Sequence, residues 1–225
     1  MISDNIKEIN NRIKLACKKS GRDPSEITLV CVTKGIDPYR ISEVFVHGIK
    51  DIGENRVKEA LKKKPAVLPG AKWHLIGHLQ TNKVKDAIEI FGLMHSVDSL
   101  ELARKIDKEA KKKEKRVDML IQVNTSGEES KYGIRPEEVS PFLKEASQLT
   151  NVKILGLMTI TPLTEDPEKV RPYLRLLKEV FESVGNEAIP NVEMKYLSMG
   201  MSQDYGVAVE EGANMIRIGS AIFRE

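Results

Sequence analysis

Ile27-Thr-Leu-Val-Cys-Val-Thr33 is a short apolar run that passes directly into Lys34-Gly35-Ile36-Asp37. Its length and β-branched residues read as a buried strand. The residues just after this run distinguish two ways of covering parallel strands with helices. A doubly wound open sheet often carries G-x-G-x-x-G after its first strand, and that fingerprint is absent here. Seven more strand-like runs lie downstream: Lys50-Asp-Ile-Gly53, Trp73-His-Leu-Ile-Gly77, Leu93-Met-His-Ser-Val97, Met119-Leu-Ile-Gln-Val-Asn124, Ile154-Leu-Gly-Leu-Met-Thr159, Met194-Lys-Tyr-Leu-Ser-Met199 and Met215-Ile-Arg-Ile-Gly219. Helical periodicity falls between them at 39–47, 56–64, 100–115, 137–148, 168–184 and 204–211. Eight strands alternating with helices in 225 residues predict an α/β fold, a single (β/α)8 TIM barrel in one domain spanning 1–225.

An extra N-terminal helix precedes the first strand. Ile6, Ile9, Ile13 and Cys17 share one face, Gly21 ends it, and Asp23-Pro24 turns the chain. Pro136, Pro141 and Pro167 sit at or near later helix starts, where a missing N–H costs little. Ser99 and Ser202 read as N-caps.

Composition narrows the class. Apolar residues make up 40% of the chain and charged residues 31%, as in soluble globular proteins. No apolar run reaches the length of a membrane span. The N-terminus lacks the basic start and apolar centre of a signal peptide, so a cytoplasmic, membrane-free protein is expected. Cys17 and Cys31 form no disulfide framework, and Cys31 reads as a buried, inert thiol. The net charge is +3, and the lysine clusters at 62–64 and 111–116 read as solvated helix faces. No aromatic residues interleave with them, so nucleic acid is not an expected partner.

Barrels place their chemistry at the C-terminal ends of the strands. Those ends carry Lys34, Asn55, Gly77 with His78, Asn124, Thr159, Ser198 to Ser202 and Arg217 to Ser220. Lys34, backed by Val30, Cys31 and Val32, is expected to be partly desolvated, which frees its amine for Schiff-base formation. The alternative is a lysine that reaches water or pairs with Glu54. A phosphate site in such barrels is often built by the loops after strands seven and eight. Here these loops are Gly200-Met-Ser-Gln-Asp204 and Gly219-Ser-Ala-Ile222, where backbone N–H groups and the Ser202 and Ser220 hydroxyls can cradle a dianion. Two helix caps that bind nothing are the alternative. Arg217 lies inside an apolar strand, which is costly unless it is paired. Pointing into the mouth, it can donate to a ring nitrogen of a ligand such as pyridoxal 5'-phosphate. An arginine keeps its proton, so such a ring stays a weak electron sink.

Other chemistries find little support. His74 and His78 are four apart but lie on a strand and a turn, and Leu75 stands where a zinc-protease helix needs its glutamate, so no metal site is expected. Glu54 has no evident carboxylate partner with glycosidase geometry. Tyr132, in Ser130-Lys-Tyr-Gly133, reads as part of a surface turn.

Cys31-Val-Thr-Lys-Gly35, Ile52-Gly-Glu-Asn-Arg56, Trp73-His-Leu-Ile-Gly-His-Leu-Gln-Thr-Asn-Lys83, Leu157-Met-Thr159, Leu197-Ser-Met-Gly-Met-Ser202 and Arg217-Ile-Gly-Ser-Ala-Ile-Phe223 resemble, in order and over almost the whole chain, the pyridoxal phosphate homeostasis proteins, the YggS/PROSC family. The resemblance implies a barrel like the N-terminal domain of alanine racemase, binding pyridoxal 5'-phosphate without established catalytic activity. It implies a role in vitamin B6 homeostasis as carrier or buffer, with transient contacts to apo-enzymes. Lys34 is then similar to the Schiff-base lysine, Arg217 to the pyridine-nitrogen partner, and Met201, Ser202, Gly219 and Ser220 to the phosphate cradle. Asn55, His74 and Met158 correspond to neighbours of the ring. No catalytic residue is implied. The chain has no length after its eighth strand for the dimerising domain of the racemases, so a monomer is expected, and a weak racemase is the alternative. Two departures are Gly35 after the lysine, expected to loosen that loop, and the ending Arg224-Glu225.

Overall fold

A computed structural model of the chain describes residues 1–224. Helix α1 (Ile2–Ser20) forms on the stripe Ile2, Ile6, Ile9, Ile13 and Cys17, all buried, and stops at Gly21. The barrel continues as β1 (Thr28–Val32), α2 (Pro38–Val46), β2 (Asp51–Glu54), α3 (Val57–Lys63), β3 (Lys72–Leu75), α4 (Val84–Ala87), β4 (Leu93–Val97) and α5 (Leu100–Lys112). It is completed by β5 (Val117–Gln122), α6 (Val139–Ala146), β6 (Val152–Met158), α7 (Arg171–Gly185), β7 (Val192–Ser198), α8 (Tyr205–Glu210), β8 (Met215–Ile218) and α9 (Ser220–Phe223). The strands run in sequence order around a closed, all-parallel barrel. Closure is made by β1 on β8, from Thr28 opposite Met215 to Cys31 opposite Ile218.

Two apolar layers hold this arrangement. The larger lies between strands and helices. The smaller fills the barrel with Val30, Leu93, Leu120, Leu155, Met158 and Met215. Each such side chain removed from water contributes about 1.5–3 kcal/mol. Alternation along β8 sends Met215 inward and Ile216 and Ile218 outward, which turns Arg217 into the barrel. The helix α1 lies against α8 and α9. There the Asn5 amide donates to the carbonyls of Ile222 and Arg224, each at 3.0 Å, and the Arg224 guanidinium pairs with Glu8.

The structure corrects several local expectations. Strands β5, β6 and β7 begin two residues earlier than their apolar runs, at Val117-Asp118, Val152-Lys153 and Val192-Glu193. Their charged second residues break the apolar pattern yet sit near the N-terminal rim, where Lys153 and Glu193 pair at 2.6 Å. Helices α4 and α9 are only four residues long, too short to show periodicity. Lys63, expected on a solvated face, is buried against Glu54 and Glu59. Ser99 caps α5 as expected, but α8 is preceded by Asp204, and Ser202 faces a different loop. Cys31 is fully buried, and burial pushes its thiol up to about 12.

Candidate functional site at the barrel mouth

The end of β1 is a tight turn. The Thr33 carbonyl accepts the Ile36 N–H at 3.0 Å, with Lys34 and Gly35 between them. Gly35 has φ +70°, a conformation that a β-turn of this kind reserves for residues without a Cβ. Its N–H donates to Glu59 Oε1 at 2.6 Å. The glycine therefore completes the turn rather than loosening it. Lys34 itself is exposed. The expected partial desolvation is not found: the strand behind it is buried, but the side chain projects from the turn into the open mouth. Glu54, its possible partner, is instead bonded to Lys63 Nζ at 2.8 Å and to the Thr33 hydroxyl at 2.7 Å.

The loops after β7 and β8 converge on Ser202. Its hydroxyl accepts the N–H groups of Gly219 at 3.4 Å and Ala221 at 3.3 Å. Asp204 braces the first loop, accepting the Met201 N–H at 2.6 Å and the Thr161 hydroxyl at 2.6 Å. Gly200 adopts φ +93°, and a Cβ there would lie 2.5 Å from that of Ala208. The chain can pass so close to α8 only without a side chain.

Arg217 is 4% exposed. Its Nη1 donates to the Ser198 hydroxyl at 2.5 Å and its Nη2 to the Thr159 carbonyl at 2.7 Å. No ion pair is made by Arg217 among the described residues. Burial lowers its pKa to about 10, although the nearby Asp204 charge acts in the opposite direction.

A cavity of about 730 Å³ opens at this mouth, and Lys34, Asn55, Met201, Ser202, Arg217, Gly219 and Ser220 all line it. His74 and Met158 are buried and are not in that lining. Met158 joins the inner apolar cluster, and His74 bonds to His95 and Asp51. The far wall was not anticipated from the sequence: Gln122, Lys131, Tyr132 and the stretch 160–164. Gln122 holds this wall by donating to the Tyr132 carbonyl at 3.1 Å. The His78 ring stacks on Tyr132 with centroids 3.8 Å apart, and its Nδ1 lies 3.3 Å from Asp98. The signal for these residues was their place just beyond strands three, five and six. No group of three or more metal-ligating side chains occurs among the described residues, and no helix there is long and apolar enough to cross a membrane.

The closed parallel barrel has the fold of the alanine racemase N-terminal class. The sequence profile of that family, "Alanine racemase, N-terminal domain", matches residues 5–225. The pyridoxal phosphate homeostasis protein of Aquifex aeolicus is 44% identical over 223 residues, covering 99% of this chain and 97% of that one. This chain belongs to the pyridoxal phosphate homeostasis protein family. Among solved structures, an unknown protein from Bifidobacterium adolescentis superposes with a TM-score of 0.94 at 31% identity, covering 99% of this chain and 94% of that one. PipY of Synechococcus elongatus PCC7942, solved with PLP bound, superposes with a TM-score of 0.86 at 31% identity, covering 99% and 100%.

Proposed function

We propose that this chain binds pyridoxal 5'-phosphate at the barrel mouth, as a Schiff base on Lys34, and serves vitamin B6 homeostasis as a carrier or buffer. The observation that carries the proposal is Arg217: a buried guanidinium with no carboxylate partner among the described residues, lining the same cavity as an exposed lysine and the loops after β7 and β8. Binding of PLP by the related PipY supports it.

The residues present fit the group. Pyridoxal phosphate supplies an aldehyde that condenses with a primary amine, a phosphate dianion and an electron-withdrawing pyridine. Lys34 offers the amine at the mouth, on a turn fixed from behind. The N–H groups of Gly219 and Ala221, held by the long bonds to Ser202, would turn to the phosphate with the Ser202 and Ser220 hydroxyls, and Met201, whose own N–H is kept by Asp204, would line the cradle. Arg217 would donate to the ring nitrogen, and Asn55, which lines the same cavity, would neighbour the ring. We assign His74 and Met158, buried outside the cavity lining, to support of the site rather than to contact with the ligand.

Binding rather than catalysis is the reading that Arg217 favours. Arginine does not readily give up its proton, so it leaves a ring nitrogen unprotonated and the ring a weak electron sink. We place the protein in the cytoplasm as a monomer that meets apo-enzymes transiently. Borohydride reduction of the protein mixed with pyridoxal phosphate tests the binding reading. A stable adduct on Lys34, absent in Lys34→Ala, is expected. No adduct in the wild type would overturn it. Solvent deuterium incorporation at Cα of alanine well above the buffer rate would overturn the non-catalytic part.

A further inference from the structure

A chain of polar side chains crosses the barrel interior and ends on Arg217. Asp51 is the first residue of β2, at the end opposite the mouth, and its side chain is 20% exposed. Its Oδ1 lies 3.0 Å from His74 Nε2. His74 Nδ1 is 3.0 Å from His95 Nε2, and His95 Nδ1 is 3.0 Å from the Ser198 hydroxyl. That hydroxyl accepts from Arg217 Nη1 at 2.5 Å. His95 is fully buried, and His74 is 5% exposed.

A donor-only group at one end and an acceptor-only group at the other allow a single direction along the column. Arginine only donates, so the Ser198 oxygen accepts from it. We assign the Ser198 proton to the bond with His95 Nδ1 at 3.0 Å, which leaves that nitrogen bare. Burial, with His74 and Arg217 alongside, holds the pKa of His95 well below that of an ordinary imidazole, so the ring is neutral and its one proton sits on Nε2. That proton goes to His74 Nδ1. The His74 proton is then on Nε2 and goes to Asp51. Burial pushes the Asp51 carboxyl up, but the bond from His74 and the nearby Lys72 outweigh it, so Asp51 stays ionised to receive that proton. All four links run one way, from cation to carboxylate.

We infer that Asp51, His74, His95 and Ser198 are positioning residues that orient the Arg217 guanidinium toward the mouth through this one-way column. Two of the five N–H groups of Arg217 are taken, by Ser198 and the Thr159 carbonyl. Its remaining N–H groups make no hydrogen bond among the described residues, and Arg217 lines the cavity. Serine and histidine links place a counter-charge at the far end of the barrel without setting a carboxylate against the ligand site. The inference rests on the proposed binding of pyridoxal phosphate, and deepens it.

Two measurements test it. The first uses unloaded protein and reads the ring nitrogens of His74 and His95 by ¹⁵N NMR. His95 is expected as the neutral Nε2–H tautomer and His74 with Nε2 protonated, with His95 becoming a mixture in Ser198→Ala. Either ring found as the Nδ1–H tautomer overturns the inference, whatever the protein binds. The second reads the rate at which bound pyridoxal phosphate is lost in wild type, His95→Leu and His95→Gln. Leaving the Ser198 hydroxyl and His74 Nδ1 buried without partners should speed release about ten-fold or more in His95→Leu. The carboxamide of His95→Gln can accept from Ser198 and donate to His74, so most of the effect should be rescued. Should His95→Leu not fold, Ser198→Ala takes its place with the same expectation. A folded column variant that releases at the wild-type rate overturns the inference. A wild type that binds no pyridoxal phosphate overturns the binding proposal instead, and leaves the NMR measurement to decide the column.

Discussion

Lys63 Nζ lies 2.5 Å from the carbonyl oxygen of Thr33, the residue immediately before Lys34. The same ammonium donates to Glu54 at 2.8 Å and Glu59 at 2.6 Å, so its three protons are all used. Glu59 in turn holds the N–H of Gly35. A buried cation and two carboxylates thus bracket the turn that carries the proposed attachment lysine. Lys63→Met leaves the fully buried Glu54 without its cation, and breaking such a pair costs about 3–5 kcal/mol. Urea unfolding near neutral pH is expected to show that loss, with part of it recovered in Glu54→Gln/Lys63→Met. A loss below about 1 kcal/mol would mean that the pair contributes no more than one on the surface.

His95 links stability to pH. Its folded pKa is held well below 6.5 by burial, then by His74 and Arg217. The unfolded chain therefore takes up a proton there that the folded chain refuses. The stability is fully present above about pH 6.5 and is lost as the pH falls, by up to about 1.4 kcal/mol per unit. Urea midpoints measured from about pH 7.5 down to 5 should fall more steeply for wild type than for His95→Gln. Equal slopes would show that the ring is already charged in the folded protein.

Gly200→Ala places a methyl group 2.5 Å from Ala208 Cβ, on a backbone at φ +93°. Strain and overpacking together are expected to cost about 1–3 kcal/mol. The shift moves the loop bearing Met201 and Ser202, so pyridoxal phosphate affinity should fall with stability. Unchanged affinity in equilibrium dialysis would separate this loop from the phosphate.

Neither thiol should be reactive in the folded protein. Cys31 is fully buried with its pKa pushed up to about 12, and burial also raises that of Cys17. Alkylation at about pH 8 is expected only at the rate of unfolding. Fast labelling of Cys31 would mean that the β1–β8 seam opens in the native state.

The barrel was legible because its strands are apolar runs with a lysine, a glycine or a hydroxyl residue at their ends. Lys34, Arg217 and the Ser202 and Ser220 loops could be located from strand order alone, since a barrel places strand ends at one mouth. Other features depend on contacts between distant segments. Lys63 reads as one of three consecutive surface lysines, and nothing local says that helix α3 turns it toward Glu54. His95 reads as an ordinary strand residue, because its partners come from β3 and β7. Tyr132 and the 160–164 stretch lie in loops without periodicity, and their place at the mouth is decided by how the barrel closes.

The seam between β1 and β8, reinforced where α1 meets the last turn, bears on the order of events in folding. The parts of the mouth come from opposite ends of the sequence: Lys34 is made early, whereas Arg217 and the Gly219 turn are made last. Contacts of such high sequence separation form late and slowly, because the loop entropy must be lost first. Strands β1 to β7 can pair in order during synthesis, but β1 keeps an unpaired edge until β8 arrives. The mouth is therefore assembled in the same step that removes that open edge, the feature through which a half-built barrel would aggregate.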